Sequence, residues 1–204
     1  MLRDLRLTDE KPILSNTKLI PESRAKVFPF LKGLECLDTS ASPEDRTVDI
    51  PSYWLRKNRL RDPSAQCTLV GIAFRDFGYK HLNDWLLPLS QTFAKNDRVE
   101  TVRLNINEGF FSRYFLKGLI TSSMRRNTPP KELSSTYIHF ASDLRNFRDP
   151  IRAHNLIPGY IYLLDGLGRV RFAGSGPPSS EEVERLQGFV EEVLRPTIAN
   201  RGRK

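Results

Sequence analysis

Apolar and polar positions along this chain change period abruptly, and the changes mark its elements. "CTLVGIAF" (Cys67 to Phe74) is a continuous apolar run of strand length, the pattern of a strand covered on both faces. Leu82, Trp85, Leu86, Leu89 and Phe93 then recur at helical spacing, which predicts a helix, and Pro88 inside it predicts a kink. "RVETVRLNIN" (Arg98 to Asn107) alternates with period two and reads as a second strand. Strand, helix and strand in this order form a βαβ unit with a parallel pair.

The ends of the pattern are equally marked. "NLIPGYIYLLDGLGRVRFAGSG" (Asn155 to Gly176) reads as two strands joined by the "DGLG" turn, with Pro158 and Gly159 just ahead of the first. "SSEEVERLQGFVEEVL" predicts a helix opened by a Ser179 and Glu182 capping box, with an apolar stripe of Val183, Leu186, Val190, Val193 and Leu194. Upstream, "AKVFPFLKGLECLDTSASPEDRTVDIP" predicts a hairpin, and "SYWLRKNRLRD" (Ser52 to Asp62) a short basic helix or loop. Residues 1–23 predict an extended N-terminal arm or a residual targeting segment, although Asp4, Asp9 and Glu10 are foreign to targeting peptides. A domain over 24–195 and a basic tail over 196–204 complete the reading.

Between the two halves lies an excursion. Asn107 and Pro158 are 51 residues apart. Residues of about 108–135 predict an inserted basic helix with Phe111, Tyr114, Phe115 and Leu119 on one face. "TYIHF" (Thr136 to Phe140) predicts a short strand, and "DLRNFRDPIRAHN" a broken basic helix.

Composition narrows the function classes. The 204 residues carry a net charge of +8, which suits nucleic acid, an anionic membrane face or an acidic partner. The two cysteines, Cys36 and Cys67, are 31 residues apart, which excludes a CxxC pair and suits a reducing, intracellular compartment. No apolar run approaches the roughly 18 residues that span a bilayer. His81, His139 and His154 lack metal-ligand spacing, so neither a metal nor a cofactor is expected.

A βαβ half followed by a ββα half is the plan of an α/β thioredoxin-like fold around a mixed sheet, here with an inserted basic helical segment. In that fold a cis proline introduces the penultimate strand, and Pro158 stands in that place. "GYIYLLD" (159–165), "GRVRFAGSG" (168–176) and "SSEEVERL" (179–186) closely resemble the mitochondrial ATP synthase assembly factor ten family, a thioredoxin-like group. Phe28 and Pro29, "TLVGIAF", the Trp85 to Pro88 spacing and "FRDPIRAHNLIPGYIY" extend the resemblance to residues 24–194. It implies a mitochondrial protein on the matrix side of the inner membrane. Such a protein would help the newly made proton-channel subunit, subunit a, join the membrane sector of the ATP synthase.

A thioredoxin enzyme carries its nucleophilic thiol at the start of the first helix. That region here is "FGYKHLN" (Phe77 to Asn83), without a cysteine, so no catalytic residue and no enzyme activity are expected. Tyr79, His81 and Pro158 are candidate partner-binding residues, and His81 sits where this fold places its active face. Arg113, Lys117, Arg125 and Arg126 of the inserted helix suit an apolar subunit helix or an anionic lipid surface. Arg169 and Arg171, alternating on one face of the last strand, are expected to be exposed or to meet an acidic partner. The leading expectation is a non-catalytic assembly chaperone. The alternative is a stable structural subunit of a large mitochondrial complex, either the ATP synthase or the mitochondrial ribosome. In the ribosome, "RGRK" and "SYWLRKNRLRD" would lie against rRNA phosphates.

Overall fold

A computed structural model describes residues 11–59, 66–109 and 115–195. Among the described residues seven strands form one sheet: β1 (Leu31–Cys36), β2 (Thr47–Ile50), β3 (Cys67–Ala73), β4 (Val99–Glu108), β5 (Thr136–Ala141), β6 (Tyr160–Asp165) and β7 (Val170–Ser175). Their spatial order is β2-β1-β5-β4-β3-β6-β7. β3 pairs in parallel with β4, and antiparallel with β6, which pairs antiparallel with β7. This is the expected thioredoxin-like plan, and β5, β1 and β2 extend it beyond β4.

Among the described residues six helices accompany the sheet: α1 (Pro43–Arg46), α2 (Ser52–Arg59), α3 (Asp76–Thr92), α4 (Lys117–Asn127), α5 (Arg145–Arg148) and α6 (Ser180–Leu194). A 3-10 turn spans Pro130–Ser135. α3 is continuous across Pro88. The stripe read from the sequence is its buried face, with Leu82, Trp85, Leu86 and Leu89 packed among Leu69, Ile161, Leu163 and Phe172. α6 joins this layer through Leu186, Val190, Val193 and Leu194, and its Ser179–Glu182 capping box is formed. Gly71 in β3 lets α3 approach closely: a Cβ there would stand 3.0–3.2 Å from the Leu86 and Leu82 side chains.

The opposite face is covered by pieces that look polar in sequence. Tyr53 and Trp54 of basic α2, Phe147 of α5 and Phe28 form a cluster over Tyr160, Tyr162 and Leu164. The Phe28 ring meets Trp54, Phe147 and Tyr162 at centroid distances of 5.7–6.0 Å. Each fully buried side chain of this size contributes roughly 1.5–3 kcal/mol. β6 therefore buries all six of its residues, alternately to the two layers, which explains its unbroken apolar run.

The described part of the N-terminal arm, from residue 11 on, lies along β7. Asn16 and Ile20 amides donate to the Ala173 and Arg171 carbonyls at 3.2 and 2.8 Å. Val170 N–H donates to Lys26 O at 2.8 Å, and Val27 bridges Arg169. At its start, Lys11 and Ser15 reach Glu182 of the α6 cap.

Two expectations are corrected here. The Ile157–Pro158 bond is trans, and the cis bond among the described residues is Ile50–Pro51. Trans is the default for X–Pro by about 0.5–1 kcal/mol. Here Asn155 supplies the bend ahead of β6, its side chain accepting from Ile157 N–H at 3.0 Å and its carbonyl from the Tyr160 hydroxyl at 2.6 Å. The expected exposure of Arg169 and Arg171 also fails. Arg171 is buried; its Nε donates to Ile20 O at 2.7 Å, and both arginines pair with Asp165 and with Glu22 of the arm. The arm turns that strand face into an interior.

Candidate partner-binding surface

The first turn of α3 and the loop ahead of β6 meet at two glycines. A Cβ on Gly159 would stand 2.4 Å from the Gly78 carbonyl oxygen, so the two backbones touch. Gly159 N–H points at His81 Nδ1, 3.4 Å away, and the buried His81 ring lies edge-on to Phe77 at 4.7 Å. Pro158 is buried beside them. Tyr79 is half-buried, and its hydroxyl is buried with no hydrogen-bond partner among the described residues. His81 and Pro158 meet at Gly159 largely as internal supports, while Tyr79 packs against the core beneath α3. The side chains left open at this place are Phe77 and Ile157, 53% and 59% exposed. Phe77 could have been found from the sequence, because it lies off the α3 stripe.

No cysteine stands in this first turn, and the nearest in sequence, Cys67, is buried in β3. Burial pushes its thiol up to about 12, against the opposing pull of Arg98. Cys36 is also buried, its Sγ 3.6 Å from Leu133 O.

The inserted segment forms a second open surface. Its described helix, Lys117–Asn127, buries none of its residues. The expected role of its cations divides. Lys117 pairs with Glu35 of β1 and lies 5.9 Å above the Phe140 ring, and Arg125 Nε donates to Leu37 O at 2.9 Å. These two fasten the helix to the β1 side, while Arg126 is exposed. Arg113, Phe111 and Tyr114 lie outside the described residues, as does the basic tail. Phe115 and Leu119 are 68% and 66% exposed, and with Ser122 and Arg126 they make one outward stripe at helical spacing. The 3-10 turn after α4 is anchored by a residue the sequence reading passed over: buried Arg103, whose Nη2 is 3.4 Å from Glu132. No helix among the described residues is long and apolar enough to cross a membrane.

The strand order and the two helices on one face define a thioredoxin-like protein. The chain belongs to the ATP10 protein family, whose pattern it matches over residues 2–193. Membership implies a role in ATP synthase assembly, and with it a mitochondrial setting. No curated protein matches the chain. Among solved structures, it is similar to a DsbF homologue from Corynebacterium diphtheriae (12% identity over 86% of this chain and 93% of that one, TM-score 0.48). It is also similar to a thioredoxin-family thiol:disulfide interchange protein from Chlorobium tepidum TLS (14% identity, 86% and 100%, TM-score 0.49).

Proposed function

We propose that this chain is a non-catalytic assembly factor that holds newly made subunit a of the ATP synthase membrane sector at the matrix face of the inner membrane. The observation that carries the reading is α4. It is fastened by Lys117 and Arg125, yet it turns Leu119 to solvent beside exposed Arg126, with exposed Phe115 just ahead of it. An apolar stripe edged by a cation suits an apolar subunit helix at an anionic membrane surface. Binding rather than catalysis is favoured by an α3 first turn without a cysteine and by a Cys67 thiol that burial keeps protonated.

The test is a pull-down from mitochondria with the full chain and a Phe115→Ser, Leu119→Ser, Arg126→Glu variant, quantifying each bound ATP synthase subunit. The expected result is substoichiometric capture of subunit a, lost in the folded variant. Equal capture by both proteins overturns the role of α4. Constant stoichiometry with a mature complex, whether ATP synthase or ribosome with its rRNA, supports the permanent-subunit reading instead.

A further inference from the structure

We infer that the cleft between the N-terminal arm and the face of β6 and β7 binds a single-chain amphipathic anion, an alkyl chain ending in a carboxylate or phosphate. The cleft has a volume of about 410 Å³, within the roughly 300–1,000 Å³ of small-ligand sites. Its floor is apolar and built from Ile151, Tyr162, Val170 and Ala173. The Tyr162 hydroxyl donates to Ile151 O at 2.9 Å, so its proton is already committed. Leu14 and Val27 of the arm form the other wall and remain 64% and 58% exposed. Burying such surface is the favourable term for an alkyl chain.

Three cations stand on the lining, Arg24, Lys26 and Arg152, all exposed. Among the described residues none of their side chains has an acid or another hydrogen-bond partner, and no acid lines the cleft. The nearby carboxylates are engaged elsewhere: Asp149 with His154 at 3.5 Å, and Glu22 with Arg169 at 3.0 Å. Arg152 also takes a φ of 58°, a left-handed conformation that costs a residue bearing a Cβ and is found disproportionately at ligand sites. An apolar pocket with cations on one charge sign only selects an anionic head on an apolar tail. A peptide fits less well, because the arm already occupies the β7 edge that would supply main-chain bonds.

The experiment is calorimetric titration of the full chain below micelle-forming concentrations. Dodecanoate and a twelve-carbon lysophosphatidate represent a free fatty acid and a lipid headgroup; dodecyltrimethylammonium and butyrate control for charge and chain. Saturable binding of at least one of the two anions, without saturable binding of either control, is expected; the tighter anion identifies the source. Reversing the three exposed cations (Arg24→Glu, Lys26→Glu, Arg152→Glu) should weaken binding about tenfold. Ala173→Phe should abolish it by filling the floor. Because the three cations are exposed, their reversal decides the matter even where Ala173→Phe does not fold. Equal affinity for the trimethylammonium ion, undiminished binding in the charge-reversed chain, or absence of saturable binding overturns the inference.

Discussion

The backbone of Gly159 crosses that of Gly78 so closely that neither position has room for a side chain. A methyl group on Gly159 would meet the Gly78 carbonyl oxygen at 2.4 Å, and backbone cannot yield as a flexible side-chain tip does. Gly159→Ala should therefore destabilise the fold by about 1–3 kcal/mol in urea unfolding. Gly188 gives the opposite result. It lies within α6 with nothing within 4 Å of its Cβ position, so Gly188→Ala should stabilise by about 0.5–1 kcal/mol.

Glu182 closes the α6 cap and clamps the arm with one carboxylate. It accepts from Ser179 N–H at 2.8 Å and Ser15 Oγ at 2.6 Å, and it pairs with Lys11. Burial pushes its pKa up, but the Lys11, Ser15 and Ser179 bonds outweigh burial and leave it lowered. A carboxylate with a depressed folded pKa contributes stability fully above its unfolded value, about 4.3, and loses it as pH falls through the folded value. The Ile13 and Ile20 amides should exchange faster relative to the core at about pH 3 than at neutral pH. Glu182→Gln should bring the faster exchange to neutral pH. Equal protection in the variant at neutral pH would remove Glu182 as the clamp.

Asp165 holds both the hairpin turn and the arginine pair. Its Oδ1 accepts from the Leu167 and Arg169 amides at 3.1 and 3.0 Å, and its Oδ2 from Arg169 Nε at 2.8 Å, with Arg171 Nη1 at 3.5 Å. Removing one partner of a buried charge group is costly, so Asp165→Ala should lose about 3–5 kcal/mol by denaturant titration. A loss within about 0.5 kcal/mol, typical of surface changes, would mean water substitutes for the carboxylate.

Both thiols should be silent in the native chain. With Cys67 pushed up to about 12 by burial and Cys36 also buried, iodoacetamide should add to neither at mildly alkaline pH and to both after denaturation. Mass measurement of the alkylated protein distinguishes the outcomes. Rapid native labelling of Cys67 would reopen thiol chemistry for this fold.

The elements legible in the sequence were those whose signals are local. Cys67 to Phe74 and Tyr160 to Leu164 are largely apolar because each strand is covered on both faces, and Ser179 with Glu182 forms the cap their spacing predicts. The "DGLG" turn is carried by Gly168 at a φ of 72° and by the Asp165 side chain. What escaped depends on segments distant in sequence. Arg171 alternates like an exposed residue, and only the arm, about 150 positions earlier, buries it. Lys117 finds Glu35 because β5 and β1 pair at that side of the sheet. Arg103 looks like the polar side of a strand until Glu132 folds over it. The cleft joins three separated segments and has no signature in any one of them.

The arm along β7 makes growth of this sheet one-sided. A strand added by another chain finds the β7 border already bonded by Asn16, Ile20 and Lys26, so recruitment through backbone pairing is directed to β2. That border offers four residues, Thr47 to Ile50, between α1 and Pro51, a length too short to template a long fibre. The fold thus protects its seven-stranded sheet from polymerising while leaving the described part of its helical excursion exposed.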